Sequence, residues 1–191
     1  MKNFINSIIW GIVAAGGALV FQLVIISFFW SAFQDGAFKE NSAYFLLFLA
    51  ITEESFKYLI IYKKIIEESR NQWLMINVWL GGIGFSLVEL FAIYQKSSFQ
   101  EIDFSSLDLV KIALLHILTF GFLGYHIGIT KNKEINFRIL IFACFAHFAY
   151  NFSAIYLENF AQPITWSIII FLSILNFYYF FSADKKLASD K

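Results

Sequence analysis

Six stretches of mainly apolar residues, roughly 6–33, 43–62, 73–95, 109–130, 138–157 and 163–182, alternate with short polar segments along the chain. A helix needs ~20 such residues to cross the hydrocarbon core of a bilayer, and each stretch is about that long. In lipid the backbone must satisfy its own hydrogen bonds, so the stretches are predicted as transmembrane helices. The ten-residue alternation of an outer-membrane barrel is absent. The pattern therefore predicts an all-α polytopic bundle of about six spans, a single integral membrane domain over residues 1–191. Pro163 falls at the predicted first turn of the last span, where its missing N–H costs nothing. Lys2 precedes an apolar stretch much longer than a signal h-region, with no small-x-small cleavage site after it, so the first span is expected to be retained.

Composition agrees with this reading. Hydrophobic residues make up 59% of the chain, with 25 Phe and one Pro, and mean hydropathy is +0.67. Net charge is zero, which leaves no basic field to attract nucleic acid. The distribution of charge is more informative than its sum. With the N-terminus inside, the cytoplasmic side holds Lys2, Lys63, Lys64, Arg70, Lys131, Lys133, Arg138, Lys185, Lys186 and Lys191, against Lys39, Lys96 and Lys111 outside. That excess predicts cytoplasmic termini on both ends. The single cysteine, Cys144, excludes an intrachain disulfide and reads as a packed core thiol. The Ile-, Phe-, Lys- and Asn-rich composition points to a bacterial cell membrane. Glycines mark packing faces in the third span (Gly81, Gly82, Gly84) and the fourth (Gly121, Gly124, Gly128). Gly124-x-x-x-Gly128 fits close helix approach within the chain or between copies.

Against this apolar background a few residues stand out. The second span contains Glu53, Glu54 and Lys57; the third, Glu89; the fourth, His116 and His126; the fifth, His147 and Asn151. A charged residue near a helix centre costs roughly 2.5–3.5 kcal/mol, so four of them would cost on the order of 10 kcal/mol uncompensated. A functional interior site is the default reading. At ~1.5 Å per residue, Glu53, Glu54 and His147 lie ~15 Å below the outer helix ends, and Glu89, His116 and Asn151 ~9–10 Å below. His126 lies near the inner end of its helix and is left outside the site. Lys57 is i+4 from Glu53 and i+3 from Glu54, so either pair can meet on one face. His147 and Asn151 are also i, i+4.

The set suits water activation. Neither burial nor a like charge favours ionisation of a carboxylate, and a carboxylate so placed can take a proton from water at neutral pH. Histidine and asparagine can donate hydrogen bonds to the oxyanion of a tetrahedral intermediate. Alternatively, Glu89, His116 and His147 supply the nitrogen and oxygen ligands that Zn2+ takes, with one position left for water. No serine, cysteine or aspartate stands beside a histidine at this depth, which disfavours a nucleophilic triad.

Four ordered motifs carry a family resemblance. Glu53-Glu54-Ser55-Phe56-Lys57 resembles the EExxK motif of PrsW-type intramembrane proteases, within the superfamily of CAAX prenyl endopeptidases and bacteriocin-processing enzymes (CPBP). Phe85-Ser86-Leu87-Val88-Glu89 is similar to the FxxxE motif that separates the PrsW branch from FxxxH relatives. His116 is similar to the isolated histidine of the third motif, and His147-Phe148-Ala149-Tyr150-Asn151 to the closing HxxxN. The resemblance implies a membrane-embedded endopeptidase acting on a membrane-anchored protein or peptide, glutamate-type or metal-dependent. It assigns water activation to Glu53, support to Glu54 and Lys57, and oxyanion donation to His147 and Asn151, with His147 a metal ligand in the metallopeptidase form. Glu89 would share a proton with Glu53 or help to hold a metal.

Two readings from other classes share these residues. A γ-secretase scaffold subunit is related to the same superfamily, so the buried groups can serve assembly without catalysis. Glu and His chains also make proton relays in transporters, although the inverted halves and Pro/Gly-broken helices that mark many of them are absent here.

Overall fold

The computed structural model describes residues 2–29, 42–69, 73–100, 105–129 and 136–188, and every regular element among them is helical. Six long helices follow one another: α1 (Lys2–Phe28), α2 (Ala43–Ile60), α3 (Leu74–Gln100), α4 (Ser106–Ile129), α5 (Phe137–Tyr156) and α6 (Glu158–Ala188). α2 runs on through one π turn, Ile61–Ile65, and a short α segment, Ile66–Glu68. All but α2 contain a stretch long and apolar enough to cross a membrane. α2 carries Glu53, Glu54 and Lys57 within its 18 residues. The chain is a polytopic helical membrane protein.

Two helices extend well past the apolar stretches that announce them. α3 reaches Gln100, and α6 begins at Glu158, so the polar segment expected between the last two spans is helical instead. Pro163 consequently lies inside α6, not at its first turn. A proline there removes one backbone bond and crowds the preceding turn. Thr165 lies beside the disturbance and donates its hydroxyl to the carbonyls of Ala161 and Gln162 at 2.8 and 3.1 Å. Residues 30–33 of the first predicted span lie outside the described residues.

α3 is the central helix, gripped on two sides through glycine. A side chain at Gly11 of α1 would meet the backbone of Gly81 and Phe85, and one at Gly84 would meet the backbone of Ile8. On the other side, a Cβ on Gly82 would stand 2.5 Å from Ile117 Cα of α4. Without side chains between them, the backbones come into direct contact. Gly124 and Gly128 receive the side chains of Val78 and Leu74, so this pair of small residues serves packing within the chain.

The helix ends sort into two groups, as an antiparallel bundle requires. At one end Phe4 stacks edge-on against Trp73, Lys64 lies over Trp10, and the Asn136 N–H donates to Tyr58 Oη at 3.0 Å. At the other end Lys111 of α4 donates to Gln162 of α6 at 2.8 Å and pairs with Asp108 at 2.7 Å. Large apolar side chains such as Phe145, Ile141, Phe177 and Phe181 point outward, the surface that lipid covers. The interior is unusual for the opposite reason: Glu54, Lys57, His116 and His147 are each at most 1% exposed.

Candidate active site

Two consecutive glutamates on a helix point about 100° apart, so they cannot share one environment. Glu54 faces the bundle centre and is 0% exposed, whereas the Glu53 side chain keeps 12% of its surface. Lys57 resolves its choice of partner in favour of Glu54, bonding Oε1 at 2.6 Å. The same Nζ donates to Thr119 Oγ1 at 2.9 Å and meets His116 Nδ1 at 2.7 Å, both on α4. An ammonium has three N–H donors, and all three are engaged. The Phe85 ring lies 4.6 Å from the same nitrogen and adds a cation–π contact. Thr119 completes the chain by donating to the His116 carbonyl at 3.3 Å. A pair this deeply buried is strongly coupled: deleting one partner leaves a bare interior charge, at a cost of roughly 3–5 kcal/mol.

Glu54 also orients the second histidine. Its Oε1 lies 2.8 Å from His147 Nδ1, which carries α5 into the network and turns Nε2 toward Glu53 Oε2 at 3.7 Å. The two imidazoles meet edge to face, with centroids 5.1 Å apart. Glu89 Oε2, reaching in from α3, is in direct contact with His116 Nε2 without the alignment of a hydrogen bond. Glu53, Glu54, Lys57, Glu89, His116 and His147 thus come from four helices to one place. Asn151 follows His147 by one turn and faces the adjoining cavity. His126 stays apart, bonding Tyr179 at 3.1 Å and packing on Phe122.

One participant was invisible in the residue pattern. Gln22 of α1 is 6% exposed, and its Nε2 donates to Glu53 Oε1 at 3.3 Å. The only signal was an amide in the middle of a mainly apolar span. Nothing in the spacing of α1 tied it to a glutamate 31 residues away.

Two cavities reach the cluster and share Glu89. The larger, about 420 Å3, is lined by Glu89, His116 and Asn151, with Lys111, Asp108 and Gln162 farther out. The smaller, about 270 Å3, is bounded mainly by apolar side chains of α1 and α3 and exposes Gln22, Glu53 and Glu89. Glu53 and His116 therefore open onto different sides of Glu89.

The donor set fits a metal ion. One ligand atom from each of Glu53, His116 and His147 lies within 4.8 Å of the others, with all three residues buried. Glu53 thus stands in the compact set where the residue pattern alone suggested Glu89. Glu53 Oε2 has no hydrogen-bond partner among the described residues, and a two-nitrogen, one-oxygen set suits zinc with a position left for water. His147 also has the carboxylate behind its far nitrogen that supports metal-bound histidines.

No curated protein and no solved structure matches the chain. Residues 1–181 match the family described as PrsW family intramembrane metalloprotease, a span that takes in α1 to α5, most of α6 and every residue of the site. The chain belongs to the PrsW family of intramembrane metalloproteases.

Proposed function

We propose that the protein hydrolyses a peptide bond of a membrane-anchored or membrane-adjacent protein, with Glu53 as the base that activates water. The observation that carries this reading is the division of labour within Glu53-Glu54. Glu54 is wholly buried and committed to Lys57 and His147. Oε2 of each glutamate has no hydrogen-bond partner among the described residues, but only Glu53 faces a cavity, where Gln22 steadies its other oxygen. The group held fast is the support, and the group with reach is the base. Water between Glu53 and His147 would lose its proton to Glu53 as its oxygen attacks the scissile carbonyl carbon. The resulting oxyanion would be met by hydrogen-bond donors facing the adjacent cavity, Asn151 among them. A zinc ion held by Glu53 and the histidines would supply Lewis-acid polarisation of that water. The excess of basic residues at one set of loops supports a site in the outer half of a cell membrane, bacterial by composition.

The test compares native-host membranes carrying wild type with membranes carrying Glu53→Gln, mapping new protein N-termini by mass spectrometry. Termini lost in the mutant and regained with wild type are expected, and they identify the substrate at the same time. Equal termini at equal protein levels would sink the assignment and favour the non-catalytic scaffold.

A further inference from the structure

The smaller cavity owes its existence to small residues on inward helix faces. Where α1 crosses α3 the backbones come together, at Gly11 with Gly81 and at Gly84 with Ile8. Further along α1, Ala15, Ala18 and Gln22 follow at intervals of three and four residues, which keeps them on one face. That face is buried, whereas Val20 and Leu23 on the other side of the helix are exposed to lipid. Across from it stand Leu49 of α2 and Ala92 and Ile93 of α3. Protein interiors are ordinarily close-packed. Here three alanines leave a space that larger side chains would fill. Its volume is about 270 Å3, against ~30 Å3 for a molecule of liquid water, which is room for a side chain the size of leucine or phenylalanine.

The walls decide what can enter, and the polar end decides why it would. At that end lies Glu53, the proposed base, with Gln22 Nε2 on Oε1 at 3.3 Å and no hydrogen-bond partner on Oε2 among the described residues. A group in the cavity therefore lies against the carboxylate that acts on the scissile bond. An extended chain advances only ~3.3–3.6 Å per residue, so the residue that reaches the cavity from the cut is one that flanks it. A lipid chain lodged there would cover Glu53 and obstruct the reaction. We propose that the smaller cavity is the subsite for one large apolar side chain of the substrate, next to the cleaved bond, and that Ala18 and Ala92 set the size it accepts. The subsite rests on the protease reading above, because Glu53 is what ties the cavity to the cut.

The second cavity shows where the rest of the peptide goes. Leu49, Glu89 and Ile93 line both cavities, so the two are halves of one cleft between α2 and α3. The larger half carries Asp108, Lys111 and Gln162 at its outer end, polar groups suited to a segment that is leaving the hydrocarbon. The substrate this cleft fits is therefore a chain cut where an apolar segment gives way to a polar one.

The substrate is first identified as the protein whose new N-terminus is lost in Glu53→Gln. The two residues flanking its cut are then changed, one at a time, to Ala, Leu, Phe and Asp. Cleavage of each form by co-expressed wild type, Ala18→Leu or Gly16→Ala is followed on immunoblots. A single methylene in an apolar pocket is worth about 10–200-fold in preference. At one flanking position, wild type should cut the Leu or Phe form at least about tenfold faster than the Ala form, and the Asp form least. Ala18→Leu should reverse that order, losing the Phe form and keeping the Ala form, and its activity on the Ala form shows that it is folded. Gly16→Ala, whose Cβ would meet nothing within 4 Å, should rank the forms as wild type does. If Ala18→Leu does not accumulate, Ala92→Leu fills the same cavity from α3 and decides. Wild type that cuts every form alike at both positions, or a cavity-filling variant that keeps the wild-type order, would overturn the subsite. The protease reading would then stand, with lipid as the occupant of the cavity. If no terminus depends on Glu53, the subsite and the protease reading fall together.

Discussion

Replacing Gly82 with alanine should do more damage than one methyl group suggests. Alanine is the better helix former by roughly 0.5–1 kcal/mol, so propensity alone predicts a gain. The added Cβ, however, would stand 2.5 Å from Ile117 Cα and 3.1 Å from the His116 carbonyl oxygen. Both are backbone atoms that cannot rotate aside. Ordinary carbon–carbon contact is ~3.5–4.0 Å, so α3 and α4 must part locally by about 1 Å or more. Overpacking of this kind costs typically about 1–3 kcal/mol, which outweighs the propensity term. The same shift acts on the site, because His116 is the residue before Ile117 and touches Glu89 of α3. A misplacement of ~1 Å can cost on the order of 100-fold in rate. Unfolding of protein in nanodiscs can be followed by maleimide reaction at Cys144, which is buried and is the chain's single cysteine. Gly82→Ala should lower the midpoint by roughly 2–4 °C per kcal/mol lost and depress proteolysis on the order of 100-fold. Gly16→Ala is the control, since its Cβ would meet nothing within 4 Å, and it should match wild type or exceed it. If Gly82→Ala melts with Gly16→Ala and keeps full activity, α4 is not seated on α3 at Ile117 and the packing argument fails.

Other substitutions separate the site from its surroundings. His147→Ala should abolish proteolysis, whereas His126→Ala, whose imidazole bonds Tyr179 away from the cluster, should keep most of it; equal losses in a cleavage assay would contradict the division. Gln22→Leu removes the amide that steadies Glu53 Oε1 and should lower activity about fivefold, an ordinary hydrogen bond being worth ~1 kcal/mol, while the melting midpoint stays close to wild type. An unchanged rate would show that Glu53 needs no help from α1. Tyr58→Phe deprives the Asn136 N–H of its acceptor at the start of α5 and should cost about 1 kcal/mol of stability by thermal denaturation without touching the active site.

Much of this protein is legible in residue order because a bilayer is an unforgiving solvent. It admits only stretches that are apolar and hydrogen-bonded within themselves. The spans, the helical class and the oddity of Glu53, Glu54, Lys57, Glu89, His116 and His147 all follow from that constraint. The extents of the helices were less legible. Hydropathy reports where lipid ends, whereas a helix ends where its backbone bonding does, which is why α6 begins at Glu158 and carries Pro163 inside it. Helical spacing left Lys57 equally able to reach Glu53 or Glu54. Tertiary packing chose Glu54, because only the inward-facing carboxylate lies where Thr119 and His116 take the other two N–H groups. Gln22 joins the site because Gly11 and Gly84 let α1 lie against α3. The sequence determined which groups are buried at membrane depth, since burial there is a property of each span. The tertiary structure decided which of them touch, because hydrogen bonds act over about 3 Å and nothing in the order of residues on separate helices fixes distance that finely.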